Sequence, residues 1–219
     1  VATNLTSEES ATMLAQFMNV MQIDFSNIDK LGSVLVDLGN NIPATEKDIL
    51  SMSQRFSSVA SIMDFSAQAT MGWSGAMAAL GVNVEEGGSA LGRVVLKMND
   101  QVKEGSTSLA KMAKVSGMTS KEFSKMWSKD KSQALQNYVK GLHEADASGQ
   151  DITGTLKELG IVNTRDRNVV MKLAGGYNVL SKSLGIAGNA YEKNNALEIE
   201  AEKRFGTTES KLKLFKKYI

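Results

Sequence analysis

Several residue types that support catalysis or metal binding are absent or scarce in this sequence. Its 219 residues include no cysteine, which excludes disulfide bonds, thiol nucleophiles and cysteine-ligated zinc. The single histidine, His143, cannot form a two-histidine zinc site, and we expect it to be an exposed cation near a helix end. Lys and Arg (25) nearly balance Asp and Glu (24), so the net charge of +1 gives no general reason to expect nucleic acid as a partner.

Long uninterrupted hydrophobic runs are also missing. One stretch without a charge, residues 65–84, is long enough to cross a bilayer, but it contains amide and hydroxyl side chains and three glycines. Much of its apolar content is alanine, and its polar groups make insertion unfavourable. We therefore expect this stretch to form a buried helix of a soluble bundle.

Helical spacing dominates the 42% of residues that are hydrophobic. The clearest stripe alternates steps of three and four along one helix face and consists of Ile49, Met52, Phe56, Val59 and Met63. Similar stripes recur along the chain, without a convincing run of the strict alternation typical of a half-buried strand. Most of the twelve methionines fall on these stripes, which indicates core packing. The sequence predicts an all-α fold, a multi-helix bundle of about nine or ten helices.

Short links capped by glycine or asparagine are predicted to separate these helices. Glycine precedes an apolar residue, as at a helix C-terminus, at Gly81, Gly117, Gly160 and Gly185. The first three are expected to end helices, whereas Gly185 lies in a segment that can run on to residue 204. Threonine stands three residues before a carboxylate that can accept the threonine N–H at 6–9, 45–48 and 119–122; the first and third match the capping box, and Asp48 is a shorter variant.

Two regions are predicted from the distribution of apolar and charged residues. Residues 1–190 form a helical core module, and residues 191–219 form a charged extension whose last helix is long and partly exposed. Because the sequence starts without Met and stops within an apolar-periodic segment, we expect the extension to lead into the rest of a longer parent chain. Its final residues, 211–219, are basic and amphipathic, which favours a core helix or, alternatively, a segment that binds a membrane or nucleic acid.

The most glycine-rich segment is GVNVEEGGSALGRVV at 81–95. A phosphate-binding loop needs two glycines with four residues between them, followed by lysine, but here five residues lie between Gly81 and Gly87 and the lysine is missing. Glu85 and Glu86 would also repel a phosphate. As a joint between packed helices the pattern fits better: the carboxylates favour a helix start, and Gly88 and Gly92 let another helix approach closely. We interpret the segment as a helix joint.

Carboxylates remain as candidates for acid–base catalysis, namely Glu85, Glu122, Asp151 and Glu158. A general acid of this kind needs an apolar environment that raises its pKa, and each of these residues also has an ordinary explanation at a helix start or on the surface. We therefore assign no catalytic, cofactor-binding or metal-binding residue, and we expect a protein that is not an enzyme.

Several short motifs occur in a recognisable order. They are VLVDLGNN at 34–41, ATEKDI at 44–49, ALGV at 79–82, EEGGS at 85–89, and Gly117, Met118 and Phe123. This order resembles the core region of the tail tape measure proteins of long-tailed phages and related prophages of Gram-positive hosts. The resemblance covers most of the chain, from about residue 5 to about residue 204, with Ser89 at a position where the family pattern has threonine.

The resemblance implies mechanical roles for the motif residues. Asn40 and Asn41 would close a helix, because asparagine tolerates the left-handed conformation. The next helix would begin at Thr45, with Glu46, Asp48 and Ile49 in its first turn. The joint would be formed by Gly81, Glu85, Gly87 and Gly88, and a further element would contain Gly117 and Phe123.

The resemblance also implies a structural virion protein. Tape measure proteins are long helical chains inside the tail tube; their length fixes how far the tube polymerises, and they leave it when DNA is ejected. The implied location is the tube lumen, and the host cytoplasm during assembly. The implied partners are other tail proteins (tail tube, assembly chaperones, tail tip) and other copies of the chain, with no cofactor, no small-molecule substrate and no specific nucleic acid. The alternatives are a membrane-active or a peptidoglycan-cleaving module acting during ejection.

Overall fold

A computed structural model describes residues 7–105, 107–197, 199, 200 and 202. In this part of the chain the secondary structure consists of eleven α-helices and one 3-10 turn, Phe25–Asn27, without a strand. The α-helices are Ser7–Val20 (α1), Ile28–Asn41 (α2), Glu46–Ile62 (α3), Ala67–Ala79 (α4), Val84–Glu104 (α5), Thr107–Val115 (α6), Ser120–Lys129 (α7), Lys131–Ala147 (α8), Ile152–Glu158 (α9), Thr164–Gly175 (α10) and Tyr177–Lys193 (α11). The all-α prediction is confirmed, with a helix count close to the expected nine or ten.

The helices pack around one continuous hydrophobic core. Helix α3 packs on α1, α4 and α5, and α11 packs on α2 and α4. Helix α10 packs on α5, α8 and α9, while α7 packs on α6 and α8. All twelve methionines belong to the core or pack against it, which confirms their expected role.

Helix α4 forms the centre of the charge-free stretch 65–84. Residues 70–77 are all buried, and small residues on this helix let its neighbours approach closely. The buried helix expected here is therefore confirmed for Ala67–Ala79; residues 65 and 66 precede it, and residues 80–83 form the turn into α5. Within the described residues, no helix has both the length and the apolar character needed to cross a membrane.

Left-handed glycines end three helices as predicted. Gly81, Gly117 and Gly160 have φ angles of 66°, 68° and 75°. In each case the apolar residue that follows donates its N–H to a carbonyl oxygen five residues earlier, which closes the last turn of the helix. Gln22 and Asp64 make the same turn with φ angles of 55° and 57°, although glycine is the residue usually expected there.

The end of α2 does not depend on a left-handed asparagine, so the conformation predicted for Asn40 and Asn41 is wrong. The helix does end at Asn41, but among described residues other than glycine the positive φ angles belong to Gln22, Asp64 and Asn194. Ile42 is extended, with φ −127° and ψ 154°. Its position before Pro43 accounts for this, because a residue before proline disfavours the helical conformation.

The segment around Gly185 does not run on to residue 204 as one helix, although residues 196, 197, 199, 200 and 202 are again helical. Gly185 lies inside α11 without interrupting it, but α11 ends at Lys193 because Asn194 is left-handed, with φ 48°. Most of the predicted extension 191–219, including the basic residues 211–219, lies outside the described residues. The boundary at residue 190 stays a prediction.

Candidate functional site

The turn between α4 and α5 is the structural core of the glycine-rich segment. Gly81 lets the chain turn, and Val82 donates its N–H to the carbonyl oxygen of Met77 at 2.9 Å. Asn83 then caps α5, since its side-chain oxygen accepts the N–H of Glu85 at 2.8 Å. One of the otherwise free N–H groups at this helix start, that of Glu85, is therefore bonded within the protein.

The glycines after this turn pack directly against α3. A Cβ atom added to Gly88 would lie 2.5 Å from the carbonyl oxygen of Met52 and 2.9 Å from the amide nitrogen of Phe56, both backbone atoms. A Cβ on Gly87 would lie 2.5 Å from the sulfur of Met52. Gly92 continues the contact along α3, where its added Cβ would be 3.1 Å from a methyl group. The backbones of α3 and α5 thus meet at a point where only glycine fits.

Carboxylates at the start of α5 connect it to two other helices. Glu85 forms an ion pair with Arg55 of α3, and Glu86 forms one with Arg165 of α10, with 3.2 Å between the Glu86 carboxylate oxygen and the Arg165 Nε. Both glutamates lie in the first helical turn, where negative charge is favoured. All four side chains are substantially exposed, so each pair contributes little to stability.

A better protected ion pair holds α10 against α5. Arg93 donates from Nη2 to Asp166 Oδ1 at 2.6 Å and from Nε to the same oxygen at 3.0 Å. The Asp166 side chain is only 11% exposed. The hydrogen bond to Asp166 raises the pKa of Arg93; burial acts in the opposite direction, and the charges of Asp166 and Glu86 add to the increase.

A small cleft lies over the joint, with a volume of about 180 Å³. Lys172 of α10 donates a hydrogen bond to the carbonyl oxygen of Gly81 at its edge. Several polar groups that line the cleft are therefore already bonded to one another: Lys172 to Gly81, and Arg165 to Glu86. This arrangement fastens α10 across the start of α5, as expected of a packing joint.

The motif around residue 45 forms the link between α2 and α3. The Thr45 hydroxyl accepts the N–H of Asp48 at 3.1 Å and donates to the Asp48 carboxylate at 2.7 Å. The Asp48 carboxylate therefore accepts from the side-chain hydroxyl of Thr45. The predicted donor was the backbone N–H of Thr45. Glu46 packs over Gly39, where an added Cβ would lie 2.9 Å from the Glu46 side chain, and Ile49 is fully buried.

The motif around residues 117–123 forms the link between α6 and α7. Gly117 ends α6, and Phe123 is buried and stacks on Trp127 with 6.1 Å between ring centroids. Thr119 and Glu122 make the complete capping box predicted here. The predicted residues thus lie at three separate helix links, and the structure does not bring them together into one site. The box predicted at 6–9 includes Thr6, which lies outside the described residues.

The single histidine is less exposed than the sequence predicts. His143 is half-buried, and its Nδ1–H donates to the carbonyl oxygen of Ala174 at 2.9 Å. Its ring stacks on Tyr177 with 5.8 Å between centroids. The prediction is wrong because α8 continues to Ala147 and the link between α10 and α11 packs against its last turns.

The candidate acid–base residues have separate local partners. Glu122 completes its capping box, Asp151 caps α9 by accepting the N–H of Gly154 at 2.8 Å, and Glu158 pairs with Lys111 at 2.6 Å. Hydrogen bonds from Thr119, first from its backbone N–H and then from its side chain, lower the pKa of Glu122.

Two features of the joint were missed from the sequence. Asn83 directly precedes the first turn of α5, and an asparagine in that position is a recognisable helix cap. The contact between Arg93 and Asp166 joins residues 73 positions apart, and no local pattern indicates such a pair.

A family model described as "Phage-related minor tail protein" matches residues 1–164 of the 219. No curated protein and no solved structure matches the chain.

Proposed function

We propose that this chain, which belongs to the phage-related minor tail protein family, is a structural and interaction module of a tail tape measure protein. It is a phage tail protein, and we assign it to tail assembly and tail length determination in a long-tailed phage or prophage. Its proposed location is the lumen of the tail tube, and its proposed partners are the tube, assembly chaperones and tail tip.

One observation supports the finer part of the proposal, the role in a tape measure protein. The motifs that resemble those of tape measure proteins fall on three links between consecutive helices, α2–α3, α4–α5 and α6–α7. Residues at such links determine how the flanking helices pack. Their placement supports a module whose sequence requirements are architectural, which is what a structural virion protein needs.

We further propose that the module acts by assembly and not by catalysis. The candidate carboxylates are used in helix caps and surface ion pairs, as described above. Incubation of the purified chain with peptidoglycan is expected to release no soluble fragments. Release that is abolished when one of these carboxylates is replaced by its amide would contradict the proposal.

The test of length determination compares two changes in the encoding phage. An in-frame deletion of residues 1–219 removes length and module together, and Gly88→Val disturbs the module while keeping the chain length. We expect the deletion to shorten tails by at most about 330 Å, the length of 219 helical residues. Tails that do form with Gly88→Val are expected to keep the parent length in electron micrographs.

These two variants also distinguish a role in length determination from a role in tail assembly. Deletion tails of parent length would contradict the role in length determination. Normal numbers of infectious particles for both variants would contradict the role in assembly. Protection of the module from protease in intact virions, followed by cleavage after DNA ejection, is expected for a lumenal position.

A further inference from the structure

Exposed apolar side chains are unevenly distributed over this fold. Among the described residues, the large apolar side chains that are exposed are Val20, Phe25, Ile62, Leu96, Val162, Leu197 and Ile199. Four of these seven belong either to the end of α1 and the turn after it or to the residues that follow α11. Phe25 is the largest of them and is 63% exposed. Because burial of such surface is favourable, its concentration in two segments indicates a site that another segment covers.

The residues after α11 pack against the first turns of α2. Leu197 lies over Gly32, where an added Cβ would be 2.7 Å from the Leu197 Cδ1, and its N–H donates to the Ser33 hydroxyl at 3.4 Å. One turn earlier on α2, the Lys30 ammonium lies 5.3 Å from the centroid of the Tyr191 ring. The part of the chain that follows α11 therefore returns to the start of α2.

Phe25 lies on the same side of α2 as Gly32. The 3-10 turn Phe25–Asn27 runs directly into α2, and Ile28 at the junction has helical angles of φ −59° and ψ −39°. Phe25, Ile28 and Gly32 are three and four residues apart, which is the spacing of one helix face. Seven residues correspond to about 10 Å along a helix axis. Phe25, Ile28 and Leu197 over Gly32 consequently form one strip, which we call the apolar strip.

Two carboxylates flank Phe25 at the start of this strip. Asp24 and Asp29 are both exposed. Asp24 accepts the N–H of Ser26 through Oδ1 at 2.8 Å, and hydrogen bonding to Ser26 lowers the pKa of Asp24, so this carboxylate is charged at neutral pH. Neither carboxylate takes part in the ion pairs of the described residues. The apolar strip is thus bordered by negative charge.

The sequence contains a segment with the complementary pattern. Residues 211–219 include four lysines and no acidic side chain. Leu212, Phe215 and Ile219 have the spacing of one apolar helix face. The ten residues between 202 and 212 can span up to about 33 Å, which exceeds the length of about 10 Å between Gly32 and Phe25. The segment can therefore reach the apolar strip of its own chain.

We propose that residues 211–219 bind the apolar strip of the same chain, with their apolar face on Phe25 and Leu197 and their lysines beside Asp24 and Asp29. A short linker gives the tethered segment an effective concentration of the order of millimolar, so a contact of modest intrinsic affinity is formed in most molecules. The contact lies within one chain and goes beyond the proposed tail function, on which it does not depend.

Acrylamide quenching of a tryptophan introduced by Phe25→Trp tests whether the strip is covered in the full chain. The two natural tryptophans, Trp73 and Trp127, are buried and contribute little to quenching. Ile62→Trp is the matched reference, because Ile62 is 71% exposed and lies at the end of α3, away from the strip. We expect a quenching constant for Phe25→Trp at least about twofold lower than for Ile62→Trp, because the tethered segment covers the strip in most molecules.

A second substitution identifies the segment that covers the strip. Phe215→Ser removes the central apolar residue of 211–219, and we expect it to raise the quenching constant of Phe25→Trp to the value of Ile62→Trp. The same substitution is expected to leave quenching of Ile62→Trp and the helix content in circular dichroism unchanged. Equal quenching at both positions in the full chain would overturn the proposal. So would a Phe25→Trp signal that Phe215→Ser does not alter, or a rise of the same size at Ile62→Trp.

The charged part of the contact has its own matched control. Asp24→Asn with Asp29→Asn removes both charges while asparagine can still cap the 3-10 turn. Asp100→Asn with Glu104→Gln removes two exposed charges at the end of α5. We expect the first pair to raise quenching of Phe25→Trp and the second pair to leave it unchanged. Raising the salt concentration from about 0.02 M to about 0.5 M is expected to act like the first pair, since it screens the same charges.

Two other occupants of the strip are outcomes of the same measurement. A contact within one chain gives the same quenching constant at all protein concentrations. Protection of Phe25→Trp that grows with protein concentration would assign the strip to a second copy of the chain. Protection that requires vesicles of phosphatidylserine and phosphatidylcholine would assign it to a membrane. Either result would overturn the proposal and leave the proposed tail function untouched.

Discussion

The hydroxyl of Ser183 donates a hydrogen bond to the backbone carbonyl oxygen of Gly72 at 2.7 Å, inside the buried contact between α11 and α4. The helices approach this closely because Gly72 has no side chain: a Cβ added there would lie 3.2 Å from the Cα of Leu184. Helix α11 lies beyond residues 1–164, which match the family model, yet it covers α4 and α2. The folded unit therefore extends past the matched residues.

A truncation tests this extent. Ending the chain at residue 164 removes α11 and nearly all of α10, and it exposes apolar surface on α2, α4 and α5. We expect the truncated chain to lose its cooperative thermal transition in circular dichroism, since a stability of about 5–15 kcal/mol does not survive such a loss. A chain ending at residue 202, which keeps all described helices, is expected to unfold cooperatively. Equal transitions for the two chains would contradict this account.

Replacing glycine by alanine is expected to change stability in opposite directions at Gly88, in the joint, and at Gly188, in α11. Gly88→Ala would place a methyl group 2.5 Å from the Met52 carbonyl oxygen, and we expect it to destabilise the fold by about 1–3 kcal/mol or more. Gly188→Ala in α11 meets no atom within 4 Å and is expected to stabilise by about 0.4–1 kcal/mol. Chemical denaturation measures both changes.

Nucleotide binding provides an independent check on the same joint. We expect the unaltered chain to show no heat of ATP binding in calorimetry, because the helix start is capped by Asn83 and carries two glutamates. Measurable binding that Gly88→Ala weakens would favour a phosphate site over a packing joint.

The sequence predicted the elements of this fold better than their contacts. Apolar stripes and glycine stops depend on neighbours within one helical turn, so α3 and the ends at Gly81, Gly117 and Gly160 were predictable. Left-handed turns at Gln22 and Asp64 were not, because an ordinary L-residue avoids that conformation unless the surrounding packing compensates for its cost.

The candidate site also contains some features that the local sequence predicts and others that it does not. The carboxylates in the first turn of α5 and the close approach at Gly88 follow from the local pattern of residues 81–95. The ion pair between Arg93 and Asp166 joins helices that are distant in sequence, and so does the hydrogen bond from His143 to Ala174. The spacing of residues along one helix does not indicate which polar side chains of different helices contact each other. These contacts were therefore visible only in the structure.

The capping box of α7 predicts a pH dependence. Hydrogen bonds from Thr119 lower the pKa of Glu122 from its ordinary value of 4.5, so the ionised form is favoured in the folded state. The stabilisation is then present above pH 4.5 and is lost as the pH falls through the lowered pKa. An NMR titration is expected to place the Glu122 pKa below 4.5, and Thr119→Ala to return it towards that value. A Glu122 pKa unaffected by Thr119→Ala would contradict this origin.

The pair of Arg93 and Asp166 is expected to contribute more than an exposed ion pair. The Asp166 side chain is only 11% exposed, so Arg93→Met leaves a carboxylate with little access to water. We expect a coupling energy of about 1–2 kcal/mol in a double-mutant cycle with Asp166→Asn, between the values for exposed and buried pairs. The exposed pair of Lys140 and Glu144 is the control, with about 0.3–0.5 kcal/mol expected. Equal coupling in both pairs would show that burial of Asp166 adds nothing.

Tyr138 is a buried residue whose hydroxyl group makes no hydrogen bond in the described part of the chain. Its ring is fully buried in the core, its hydroxyl has no hydrogen-bond partner there, and burial raises its pKa. Because an unpaired buried hydroxyl loses its bonds to water without replacement, we expect Tyr138→Phe to be neutral or to stabilise the fold by up to about 1 kcal/mol. Tyr138→Ala, which removes the ring as well, is expected to cost about 3–5 kcal/mol. Chemical denaturation of the three proteins separates the two contributions, and a marked loss of stability in Tyr138→Phe would show that the hydroxyl is bonded in solution.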